Sequence, residues 1–304
     1  MTPDIVEKAA LVALLREPHV RWSEVTAEIV DRGNVHDVLD RRTSGQDPLF
    51  ALGHVDDAVR EAARLIHKWE GEGIGVHAFY EDTYPEQLRD VHEMPPLLFT
   101  RGTVVPDRRS VAVVGTRRAS ERGLEIAHSV ATALAKSGIT VVSGLALGID
   151  TAAHEAALAT GGRTAAVLGT GIREHYPSQN AQLQERIASS GLLMSQFWPD
   201  SPPTKKTFPM RNAVMSGYAS ATAVIEAPWK SGARIQARLA LKHGRPVVMP
   251  RELLEHDWAR EYSMLPGVHV VDSLAELLSV VECLVDDAMS GYEKLRSLAN
   301  RVQI

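Results

Sequence analysis

Apolar residues recur at near-helical spacing over positions 5–15, 25–39 and 55–69, which predicts a helical region spanning residues 1–72. Gly71, Gly73 and Gly75 break that run, 76–80 reads as a strand, and Pro85, Pro95 and Pro96 punctuate a connecting segment over 73–104. From residue 105 the pattern changes. Short apolar runs at 111–114, 139–143, 164–168, 192–195, 222–226 and 246–249 alternate with helical stretches. Continuous Val/Ile/Ala/Leu runs, rather than apolar and polar residues in alternation, belong to strands buried on both faces, and intervening helices join such strands by right-handed crossovers. The expected fold class is α/β: a doubly wound, mostly parallel, Rossmann-like sheet over 105–285, a small helical domain before it and a tail at 286–304.

Ligands of such sheets sit beyond the carboxyl ends of the strands, so the loops after each strand hold the candidate chemistry. The first is Gly115-Thr116-Arg117-Arg118-Ala119-Ser120, with Ser120 placed to cap the next helix. It lacks both the Gly-x-Gly-x-x-Gly fingerprint and the Gly-Lys-Ser/Thr of a phosphate loop, so it reads either as an anion cradle or as a plain strand-to-helix turn. The second loop, Ser143 and Gly144 through Gly148 to Asp150, again opens a helix. Asp150 and His154 share a helix face, which reads as an N-cap aspartate beside a hydrogen-bonded histidine rather than half of a metal site. In the third, Gly169 leads to Tyr176, Pro177 and Asn180, and Tyr176 either stacks on a base or covers the sheet edge. A proline-rich connection carries Lys205 and Lys206 to Pro209, Arg211 and Asn212, and a last loop ends in Ser231 and Gly232.

Charge sharpens this picture. The chain's net charge is −5, yet residues 110–250 hold 15 Lys and Arg against 8 Asp and Glu, and the remainder holds 18 against 30. Such asymmetry marks either a polyanion-binding face or an uneven scatter of solvated charge. No apolar run approaches the ~20 residues of a membrane span, and the first residues carry acids where a secretory signal carries basic ones. The single cysteine, Cys283, lies in an apolar run and is expected to be a buried thiol in a cytoplasmic protein. No nucleophile is paired with a base and no ligand set has metal spacing. The expectation is a binding protein with no catalytic residues, no metal and no cofactor.

In order along the chain, the loops resemble those of the DprA/Smf family. The resemblance runs through Gly115-Thr116-Arg117, the segment from Ser143 to His154, Ala166 to Gly171, Tyr176-Pro177 with Asn180, Phe208 to Asn212, and Glu226-Ala227 with Ser231-Gly232. Tyr84-Pro85-Glu86 and Pro95 to Phe99 extend it upstream. It implies a Rossmann-like fold behind a SAM-like helical domain, and a protein that binds and protects incoming single-stranded DNA and helps load a RecA-type recombinase in transformation. It also implies a homodimer. On this resemblance Arg117 and Arg211 contact phosphates, converging on one edge of the sheet, with Lys205 and Lys206 as accessory cations. Tyr176, Asn180 and Asn212 line the same groove, and Gly115, Thr116, Ser143, Gly144, Gly148, Gly169, Ser231 and Gly232 shape it. Both arginines are then expected to be replaceable without loss of folding. The chain departs from the family at Ala213, where a second arginine is usual, at Gln196-Phe197-Trp198, and after Pro250, where the motifs stop. The alternative is a sensor or enzyme for a nucleotide-derived small molecule on a related fold, whose Pro-Gly-Gly-x-Gly-Thr-x-x-Glu signature is absent here. A protein-binding module that retains the fold is a third reading.

Overall fold

The computed structural model describes residues 3–18, 20–43 and 48–302. The chain divides into two compact units, one built from Met1–Tyr84 with Glu93–Thr100 and the other from Pro85–His92 with Arg101–Ile304.

In the first unit four helices, α1 (Pro3–Arg16), α2 (Trp22–Arg32), α3 (Val35–Thr43) and α4 (Pro48–Gly71), precede strand β1 (Gly75–Ala78). The sequence pattern ran α2 and α3 together. Gly33 separates them: its backbone is left-handed, with φ +86°, and its N–H closes on the Ile29 carbonyl, a conformation that ends a helix and that glycine adopts without a Cβ penalty. The segment read as a connector holds a further strand, β2 (Leu97–Gly102), antiparallel to β1 in the register Val76 to Phe99. Phe99 meets Trp69 edge to face with ring centroids 5.3 Å apart, so the hairpin packs on α4, and Leu11, Leu14 and Ile66 are buried in the same unit.

In the second unit the elements follow as β3 (Ser110–Val114), α5 (Glu121–Lys136), β4 (Thr140–Ser143), α6 (Ile149–Ala159), β5 (Thr164–Val167), α7 (Ala181–Ser190), β6 (Leu192–Ser195), α8 (Thr207–Tyr218), β7 (Ala221–Val224), α9 (Gly232–Lys242), β8 (Val247–Pro250), α10 (Asp257–Ser263), β9 (Val268–Val271) and α11 (Leu274–Val302). The strands lie parallel in the order β6-β5-β4-β3-β7-β8-β9. β3 to β7 are wholly buried, as the continuous apolar runs required. α5, α6 and α11 bury Ala127, Val130, Ala153, Ala156, Leu277 and Val281 on one face, while α8 and α9 pack together elsewhere on the sheet.

The winding positions the site. From β3 the chain proceeds outward through β4, β5 and β6, then returns to the other side of β3 as β7 and proceeds outward through β8 and β9. The order reverses between β3 and β7, and the connections diverge there to leave a crevice at their carboxyl ends.

Two expectations are corrected. Cys283 is exposed, because α11 turns it away from the face that buries Val281 and Val285. The N-cap of α6 is Gly148 rather than Asp150, which sits inside the first turn. Among the described residues no helix is long and apolar enough to cross a membrane.

Candidate nucleic-acid interface

A cleft of about 350 Å³ occupies the crevice between the ends of β3 and β7. Its walls are the β3 loop from Gly115 to Arg118, Phe208, Arg211 and Asn212 of α8, and the β7 loop from Pro228 through Ser231 and Gly232 to Ala233. Four cations line it, Arg117, Arg118, Arg211 and Lys230, against one acid, Asp150. A second cavity of about 410 Å³ lies beside α5 and the end of β8, but its charges are already matched, Arg122 with Glu252 and Arg251 with Asp272. Of these two cavities, the β3–β7 cleft carries the unmatched positive charge.

The backbone amides expected to cradle a phosphate are occupied by the protein's own carboxylates. Glu226, at the end of β7, sits over the N-terminus of α5. It accepts from the Ser120 N–H at 3.0 Å and the Ser120 hydroxyl at 2.9 Å, while that hydroxyl accepts from Gly123 N–H. Asp150 accepts from the N–H groups of Gly144 at 3.1 Å and Ala146 at 3.3 Å. A carboxylate there satisfies the orphan amides and the helix dipole as a phosphate would. At the α5 and α6 loops the attraction for an anion therefore comes from side chains.

The two arginines meet at the cleft as expected, but in different states. Arg117 is exposed, its guanidinium 5.1 Å from the centre of the Phe208 ring. Arg211 is 6 % exposed. Its Nη1 donates to the carbonyls of Gly144 and Val167, the latter at 2.9 Å, and its Nε donates to Asn212 Oδ1 at 3.1 Å. Burial, the largest effect, and the nearby Arg117 charge push its pKa down while Asp150 opposes them. Burial likewise pushes the Asp150 carboxyl up, offset by the Arg211 charge and by the amides of Ala146 and Gly144. Arg211 thus clamps the ends of β4 and β5 from α8 and presents only its edge to the cleft.

Gly144 follows from that clamp, since a Cβ there would fall 1.6 Å from Arg211 Nη1. Gly148 has φ +81°, and a Cβ on it would lie 2.5 Å from the Thr116 carbonyl, so only glycine lets the second loop close on the first. Asn180 is buried and spends its amide on the same loop, donating to Leu145 O at 2.9 Å and Thr151 Oγ1 at 2.8 Å. Ser143 is buried and donates to Val113 O at 2.7 Å. These residues shape the cleft from behind. Tyr176 is 42 % exposed and reaches the cleft through Phe208, with ring centroids 5.6 Å apart, and Gly169 lies against the Phe208 ring. Lys205 and Lys206 are exposed just before α8 and do not line the cleft.

Phe208, Arg118, Lys230 and Glu226 escaped the sequence reading of the site. Arg118 and Lys230 stood beside chosen residues in loops already singled out, and Phe208 headed the motif that contains Arg211. Glu226 gave no local signal, because its partner Ser120 belongs to another loop. The Asp150 and His154 pair is structural: His154 is wholly buried on Thr164 Oγ1 at 2.7 Å. Among the described residues no group of three or more His, Cys, Asp or Glu side chains is placed to hold a metal.

The model of the family described as DNA recombination-mediator protein A matches residues 75–283, past Pro250 where the motif resemblance stops. The chain is 43 % identical to Protein Smf of Synechocystis over 171 residues, which is 54 % of this chain and 42 % of that protein, so it spans less than half of that relative's length. It is similar to the X-ray structure of DNA processing protein A from Streptococcus pneumoniae, with TM-score 0.68 and 28 % identity, over 92 % of this chain and 98 % of that one. It is also similar to DNA processing protein A from Helicobacter pylori, whose structure is described as giving insight into a unique single-stranded DNA binding mode. That likeness has TM-score 0.61 and 27 % identity, over 70 % of this chain and 96 % of the other.

Proposed function

Because the chain belongs to the DNA recombination-mediator protein A family, we propose that it binds single-stranded DNA in the β3–β7 cleft. The observation that carries this reading is the cleft itself, with four cations against one acid at the switch point of the sheet and the Phe208 and Tyr176 rings at its margin. A phosphate backbone is held by charge, and bases stack on aromatic faces without regard to sequence, so affinity is set by salt and chain length more than by sequence. The protein then acts as a binding protein, protecting a strand and presenting it to a RecA-type recombinase, and works as a homodimer; family membership supports both partners.

Arg117 is the direct probe, because it lines the cleft and its guanidinium is not tied to backbone. In anisotropy titrations of a labelled oligo-dT, Arg117→Ala is expected to weaken binding and to flatten the plot of log affinity against log salt by about one unit, with the unfolding midpoint unchanged. A wild-type affinity that is flat with salt, or that favours duplex, would remove the strand from this cleft. Displacement of the strand by free nucleotides at equal phosphate concentration would instead select the small-molecule reading.

A further inference from the structure

The β7 loop carries an aromatic residue that the cleft does not absorb. Its base is fixed: the buried Trp258 donates from Nε1 to Ala227 O at 2.9 Å. Above that anchor the Ser231 N–H closes on Pro228 O at 2.8 Å, which makes a tight turn with Trp229 and Lys230 at its two central positions. Side chains at those positions leave the turn outward. Trp229 is 54 % exposed, and the residues on either side of it, Pro228 and Lys230, both line the cleft. The Arg234 guanidinium, from the first turn of α9, lies 4.0 Å from the centre of the indole.

An exposed indole backed by a guanidinium holds a large apolar ring in one orientation, with a positive charge beside it. Lys230 adds a second cation next to it in the chain. The only nearby acid of this loop, Glu226, is turned onto Ser120. The chemistry that suits a π-face bordered by cations and continuous with a cationic cleft is a base attached to its own phosphates. We propose that Trp229 is a second stacking platform for the bound strand, separate from the Phe208 and Tyr176 rings, with Lys230 and Arg234 meeting the phosphates beside the stacked base. This inference rests on the reading of the cleft as a single-strand site and adds to it a rim contact on a different loop.

The test pairs oligo-dT with an abasic strand of equal length, each titrated with the full-length protein and with Trp229→Ala over a salt series. Stacking is lost with the ring, so Trp229→Ala is expected to bind oligo-dT about tenfold more weakly and the abasic strand as well as wild type does. Its salt slope stays that of wild type, since no charge is removed. Trp229→Phe recovers most of the loss. Lys230→Ala and Arg234→Ala each flatten the slope by about one unit. Equal affinity of Trp229→Ala and wild type for oligo-dT would overturn the proposal, as would an equal loss on both strands. A change confined to self-association would overturn it too, and would assign the ring to a protein contact. Failure of the wild-type protein to bind either strand would overturn the reading of the cleft as well.

Discussion

Arg211→Ala is expected to destabilise the second unit, by about 1–3 kcal/mol for each buried acceptor left without its donor. The side chain is almost wholly buried, and its removal strips the Gly144 and Val167 carbonyls of a charged donor. It also leaves Asp150 in the interior with backbone hydrogen bonds from Gly144 and Ala146 to offset its desolvation. This revises the expectation from sequence that both arginines can be removed without harm. Gly144→Ala should act through the same contact, because its Cβ would occupy the guanidinium's place. Adding Asp150→Asn to Arg211→Ala should recover part of the loss, since the amide carries no charge to leave unpaired. Urea unfolding of the three variants beside wild type measures this. A midpoint for Arg211→Ala indistinguishable from wild type would show that the guanidinium is not a structural clamp. The consequence for function is practical: loss of DNA affinity in Arg211→Ala mixes folding with contact, whereas Arg117→Ala reads contact alone.

The contrast between these arginines marks where sequence stops being informative. Six strands of the second unit were legible to within a residue or two, because wholly buried strands demand unbroken apolar runs and the chain supplies them. β2 was not, because Pro95 and Pro96 stand directly before it and prolines signal a turn more strongly than four apolar or hydroxyl residues signal a strand. β9 was not, because its Val-His-Val-Val is only partly buried at the edge of the sheet. The glycine loops and Arg117 were legible for the same local reason as the buried strands: a turn after a strand has to be made of such residues. Whether Arg211 faces solvent or the sheet depends on what lies across from α8, and that information resides in residues far along the chain. Gly144 lies beneath its guanidinium and Gly169 beneath the adjacent Phe208 ring, so the contact is recorded in the sequence as two missing side chains, visible only once the fold has brought them together.

Acid is expected to weaken both units well before carboxylates titrate, because each holds a histidine that stays neutral when folded, His154 wholly buried and His77 half-buried. His154 is pushed down to about 3, chiefly by burial and then by the Arg211 charge, and His77 to about 4, chiefly by burial and then by Lys8. The hydrogen bonding of His154 explains the burial effect. Thr164 Oγ1 donates to Val141 O at 2.7 Å, so it accepts from Nδ1–H of the histidine, and Nε2 is left buried without a partner. Protonating Nε2 would place an N–H and a full charge where no acceptor exists. The unfolded chain binds protons at these histidines below its ordinary value of about 6.5 while the folded chain does not, so stability is complete above that pH and falls as pH drops from 6.5 toward 4 and 3. Each unit of pH in that window costs about 1.4 kcal/mol per histidine, or about 2 kcal/mol each by pH 5. The measurement is the urea midpoint at pH 7.5, 6 and 5 for wild type, His154→Leu and His77→Gln. Each substitution should flatten the acid limb of the unit that contains it, whatever it does to stability at pH 7.5. A limb equally steep in wild type and His154→Leu would assign the acid sensitivity of the second unit to other groups.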